Sequence, residues 1–174
     1  MRVSMAIGIV AMTLTLGVSA PAFAQAVPPI AKTVNLSGPR MGVTFLSPGI
    51  VDKLHEKQID VNWAISQFGW QFEKQFFSTH GGLTAVTQWV GLVGGLEESV
   101  AIPSLTWVVG LRTRSGAEFG LGPNITPAGS ALAVAGGFTL RAGVVNVPFN
   151  LAYVPSKAGP RITFLTGFSL RGRR

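Results

Sequence analysis

The chain has 174 residues, a formal net charge of +7, and 12% charged against 47% hydrophobic residues, with a mean hydropathy of +0.42. That length suits one domain, and intrinsic disorder is excluded because disorder needs low hydrophobicity and high charge. With no Cys and only two His, a disulfide scaffold, a thiolate zinc site, a Cys nucleophile and a histidine-rich metal site all lack their side chains.

Residues 1–24 carry Arg2 at the start, an apolar stretch from Met5 to Val18, and Ala22-Phe23-Ala24 before Gln25. A charged start, a short apolar middle and small residues at the cut fit a secretory signal peptide, removed after Ala24. The apolar stretch, roughly 14 residues, is too short for a membrane helix, which needs ~20. Residues 25–39 then form an N-terminal periplasmic segment, and residues 172–174 a basic tail.

Between them the chain reads as strands. From Ser104 onward apolar residues alternate with small or polar ones, a period of two and not 3.6. One face carries Leu105, Trp107, Val109 and Leu111, then Phe119 and Leu121, and later Phe138, Leu140, Phe149, Leu151, Phe164 and Phe168. The other carries Thr106, Arg112, Glu118, Asn124, Thr139, Arg141, Asn146 and Asn150. In the first half Val61, Trp63 and Ile65 are apolar at odd positions, but Phe68, Trp70, Phe72 and Phe76 at even ones. A bulge near Ser66-Gln67 is expected to cause that change of face. Eight strands are expected near 40–47, 60–77, 83–93, 100–113, 118–126, 131–141, 144–154 and 161–171. Tight turns fall at residues 114–117 and 142–143, and looser ones at 123–130 and 155–160. Ser47-Pro48 begins a short helix with Ile50, Val51 and Leu54 on one side.

The two faces decide the class. A soluble barrel would bury Leu, Phe and Trp and present the small residues to water, yet soluble surfaces carry ~25–35% charged residues. Reversed, the bulky apolar residues meet lipid and the small ones fill a narrow interior. The expectation is an all-β, eight-stranded antiparallel up-and-down transmembrane β-barrel over residues 40–171, with side chains packing the lumen. Arg112 and Glu118 flank one turn on the inward face, and with Arg141 they form the predicted lumen ion cluster. Trp63, Trp70, Trp89, Trp107 and Tyr153 are candidates for interfacial aromatic belts. Pro148 falls inside the seventh strand, where its missing N–H calls for a bulge.

Over roughly residues 40–171 the chain resembles the small outer-membrane β-barrel proteins of bacteria. The likeness rests on the architecture above and on segments such as Ile65-Ser66-Gln67-Phe68-Gly69-Trp70 and Leu165-Thr166-Gly167-Phe168. It implies an outer-membrane location and barrel fold but no particular activity. The chain departs from such barrels at its end, where Arg171-Gly172-Arg173-Arg174 stands in place of a terminal aromatic residue.

Chemistry-bearing residues are sparse. Asp52, His55 and Glu56 make a candidate loop site, since helical spacing would place Asp52 beside both others. The competing reading is a solvated loop face. His80, beside Ser78 and Thr79, suggests a Ser/His pair, but the glycines that follow fit a hairpin turn better. Positive residues are scattered outside 171–174, with no groove of basic and stacking residues for nucleic acid. No catalytic residue, metal site or cofactor is expected. The expectation is a non-enzymatic envelope barrel whose partners are outer-membrane lipid and an envelope protein reached through its loops. The alternatives are a lipid-modifying enzyme of the outer membrane or a small pore.

Overall fold

A computed structural model of the chain describes residues 35–170; the expected signal peptide, most of the 25–39 segment, Arg171 and the basic tail lie outside that range. The strands are β1 (Gly38–Leu46), β2 (Ala64–Ser78), β3 (Thr84–Gly94), β4 (Ile102–Arg112), β5 (Ala117–Thr126), β6 (Gly129–Ala142), β7 (Val145–Val154), β8 (Arg161–Gly167) and β9 (Ser169–Leu170). Each pairs antiparallel with its neighbours, and the β1–β8 and β6–β7 pairings complete a closed sheet. β8 and β9 are two pieces of one stave, so the molecule is an eight-stranded up-and-down barrel with no free edge.

Pro148 accounts for the break between those two pieces. Phe149 pairs with Thr166 and Asn146 with Ser169, so the register does not change across the gap. No bulge forms; the ladder lapses at Gly167 and Phe168, opposite the residue that has no N–H. The Thr166 hydroxyl donates to the Pro148 carbonyl at 3.1 Å instead.

The expected bulge in β2 is also displaced. Register with β1 is unbroken from Ala64 to Gln71, and the irregularity lies between Gln75 and Phe77, leaving Phe76 and Phe77 both exposed. Ile65 is apolar because it points inward beneath an apolar cap, and Val61 and Trp63 precede the strand. The loose turn expected at 123–130 is in fact two residues, Pro127 and Ala128, with Pro123 and Asn124 inside β5.

Outside and inside have the polarity that the alternation predicts. Phe72, Phe119 and Leu140 are more than half exposed on the outer wall, whereas Arg40 and Arg112 are 1% and 3% exposed within. Trp89 and Trp107 stack at 5.3 Å across the middle of β3 and β4, away from either rim. The Trp107 indole N–H donates to the Thr87 hydroxyl at 2.7 Å, which satisfies its one polar atom on an apolar wall.

Helix α1 (Pro48–His55) lies in the β1–β2 connection, at the rim opposite the chain termini. Pro48 at its first turn suits the helix start. Ile50 and Leu54, one turn apart, are fully buried with Leu46, Val61, Ile65, Ile102 and Ala128. This apolar cluster caps the far mouth.

Candidate functional site

The interior has three levels. Nearest the termini is a charged layer built by five strands. Arg112 of β4 is bidentate to Glu73 of β2, with Nη1 at 2.7 Å from Oε1 and Nη2 on Oε2. Glu118 of β5 takes the other edge of the guanidinium, accepting from Nε at 3.0 Å and Nη2 at 2.7 Å. Arg112 and Glu118 face each other because they are register partners across the β4–β5 hairpin, whose turn closes at Gly116 with φ +94°. Gln88 of β3 donates to both carboxylates, at 3.2 and 3.4 Å, and Asn150 of β7 donates to Glu118. The Glu73 side chain is fully buried.

Arg40 of β1, buried next to this layer, has a different set of partners. Its guanidinium donates to Gln71 Oε1 at 3.1 Å and to the carbonyls of Pro39 and Leu36 at 3.0 and 2.5 Å. Leu36, fully buried, also donates its N–H to Glu73 Oε1 at 3.3 Å. The segment leading into β1 therefore folds over the mouth nearest the termini.

Above the charged layer lies a cavity of about 70 Å³, lined by amides, hydroxyls and the aliphatic side chains Val90, Leu92 and Leu165. Gln67 Oε1, Gln71 Nε2 and Asn150 Oδ1, on lining residues, find no hydrogen-bond partner among the described residues. That volume and those atoms suit a few ordered waters. At the upper edge Arg161 donates to Asn124 Oδ1 at 2.9 Å and Thr126 Oγ1 at 3.1 Å. Asn124 in turn donates to Ser104 and Thr106 at 3.1 and 2.8 Å. The cap under α1 closes the third level.

Of the residues expected in the lumen cluster, the structure brings Arg112 and Glu118 together and leaves Arg141 apart. Arg141 is exposed at the rim near the termini and donates to the Arg114 carbonyl at 3.2 Å. Its place is taken by Glu73, with Arg40 behind. Both were legible in parity: Glu73 alternates with Phe72 and Arg40 with Met41, on strands whose bulky residues face out.

The loop triad is not assembled either. His55 Nε2 lies 3.1 Å from the Asp60 carboxylate and 3.2 Å from the Val61 carbonyl. Asp52 and Glu56 are exposed. Ser78 and His80 do not pair: the Ser78 hydroxyl is 2.6 Å from that of Thr84. Among the described residues no group of three or more His, Asp or Glu is placed to hold a metal. Glu97, in the short 3-10 turn Leu96–Glu98 between β3 and β4, accepts from the Ser66 hydroxyl and from its N–H at 2.5 Å. The hydroxyl contact is the largest cause holding its carboxyl below the usual range; burial opposes it, and the Ser66 and Glu97 backbone N–H groups add to the lowering.

Comparison with known family models, curated proteins and solved structures finds no match to this chain.

Proposed function

We propose that the chain is a non-enzymatic outer-membrane barrel of a bacterial envelope, secreted by its first 24 residues and anchored with its termini in the periplasm. Its role is structural or loop-mediated binding. The observation that carries this reading is the inverted polarity: a continuous outer wall of exposed Phe, Trp, Leu and Val surrounds a lumen of buried Arg, Glu, Gln and Asn. Soluble monomers rarely expose apolar patches beyond a few hundred Å², while hydrocarbon requires such a wall and a closed ladder. Strand lengths support it: β3 and β4 have 11 residues, β5 and β7 have 10, and a membrane strand needs ~9–11. Short turns on the termini side and, apart from the two-residue β5–β6 turn, longer connections opposite fit a periplasmic and an outer rim, respectively.

A small pore fits this interior less well, since the charged layer and the α1 cap stand across the lumen at two levels. The test is fractionation: the mature protein should go with outer membranes and run faster on gels unheated than boiled. Phe149, packed outside between Phe138 and Phe164 at 5.2 and 6.4 Å, supplies the variant. Phe149→Arg should block membrane folding, because Arg at mid-wall costs ~2–4 kcal/mol. A protein that remains in the detergent-free soluble fraction would overturn the reading.

A further inference from the structure

We propose that the far rim carries a binding site for the phosphate headgroup of a membrane lipid, in a cleft between α1, the β5–β6 turn and the β7–β8 loop. The cleft has a volume of about 400 Å³ and is lined by Lys53, Lys157 and Arg161, the last also bonded to Asn124 and Thr126, with the Ser130 hydroxyl as a donor and no acidic side chain. Among the described residues, none of the three cations has a carboxylate within ion-pair distance. Among the acidic groups of the same rim, Asp60 is engaged with His55, Glu97 with Ser66 and Glu98 with Asn62, while the exposed Asp52 and Glu56 do not line the cleft. Lys57 adds a fourth positive charge beside the cleft, its ammonium 2.7 Å from the Pro127 carbonyl.

One feature turns this patch into a site: the cleft runs onto the outer wall through Leu132, which lines it and is 52% exposed. A ligand with a phosphate in the cleft and a chain along Leu132 satisfies both halves; inorganic phosphate satisfies one. Attraction between basic side chains and anionic lipid amounts to about fivefold in affinity per cation near the surface.

This inference rests on the membrane reading above, and the experiment separates the two. The full mature protein is reconstituted into phosphatidylcholine vesicles with and without phosphatidate, extracted gently, and its retained lipid measured. Wild type should retain phosphatidate well above its share of the bilayer. Lys53→Gln with Lys157→Gln should reduce that enrichment about tenfold or more, while Arg141→Gln, at the opposite rim, should leave it unchanged. Equal retention by wild type and the double variant would overturn the site. If inorganic phosphate displaces phosphatidate in proportion to its charge alone, the lipid assignment is overturned in favour of a soluble anion. A protein that enters neither vesicle overturns the membrane reading, and this inference with it.

Discussion

The two ends of the lumen are closed by different physics. Near the termini, Glu73, Gln88, Arg112, Glu118 and Asn150 join β2, β3, β4, β5 and β7 through directional, charge-assisted bonds. At the far mouth Ile50 and Leu54 sit on Leu46, Ile65 and Ile102 through contacts that have no preferred direction. The charged layer ties strands to one another, so loosening one bond strands a charge that four other staves depend on. The cap ties a single helix to the barrel, so it can lift as a unit while the strands stay paired. One end specifies register; the other closes a door.

The largest expected effect breaks the first end. Glu73→Ala leaves Arg112 and the base of the Arg40 site without their central carboxylate, and should cost ~3–5 kcal/mol of barrel stability. Glu118→Ala should cost less, ~1–3 kcal/mol, because Arg112 keeps its bidentate partner. The two losses should be non-additive when combined, since both residues hold one guanidinium. Arg141→Ala, outside the layer, should stay within ~0.5 kcal/mol. Unfolding in detergent by denaturant measures all four; equal costs for Glu73→Ala and Arg141→Ala would refute the layer.

The second effect is expected to be large locally and smaller for the whole barrel. Leu54→Ala removes a side chain that is 2% exposed, a change worth ~2–5 kcal/mol against the closed cap. Because α1 can detach without breaking a ladder, the loss should appear first as faster amide exchange in Pro48–His55, with the strands still protected. Strand amides that exchange in step with the helix would mean that cap and barrel are one cooperative unit, and the contrast drawn above would fail.

How far this was legible in the sequence follows the same divide. From Ser104 on, nearly every outward position is bulky, Gly136 and Thr166 being exceptions, and nearly every inward one small or polar, so parity alone assigns the wall. It misled at Ile65, which is inward and apolar because a helix distant from it by a loop covers that mouth; a single strand carries no sign of such a cover. The pairing of Arg112 with Glu118 was readable because a hairpin turn makes them register partners. Arg141 was misplaced and Glu73 missed for a common reason: which inward charges share a level depends on the stagger of strands around the barrel, and alternation within one strand is blind to it. Arg141 pairs with Asn146 beside the β6–β7 turn, beyond the layer. The cationic cleft brings Lys53 up to Lys157 and Arg161, which lie far along the chain from it, and no local pattern marks it.

The smallest expected effect sharpens the comparison at the exposed far rim, through pH. Glu97 is exposed and bonded to Ser66, which lowers its carboxyl below the ordinary value of about 4.3. A carboxyl lowered in the folded state favours folding as its anion. The stabilisation is therefore fully present above the ordinary value and is lost as the pH falls through the lower folded one. Water can replace an exposed bond, so the barrel's overall stability should barely respond, while the Leu96–Glu98 turn should loosen against β2. The Glu97 carboxyl carbon, followed by NMR, should titrate below its unfolded counterpart. Ser66→Ala should return it toward the ordinary value, because it deletes the hydroxyl that is the largest cause and leaves only backbone N–H contacts to lower it. A Glu97 that already titrates at the ordinary value in the unmodified protein would remove the tie that this side chain makes between the loop and β2.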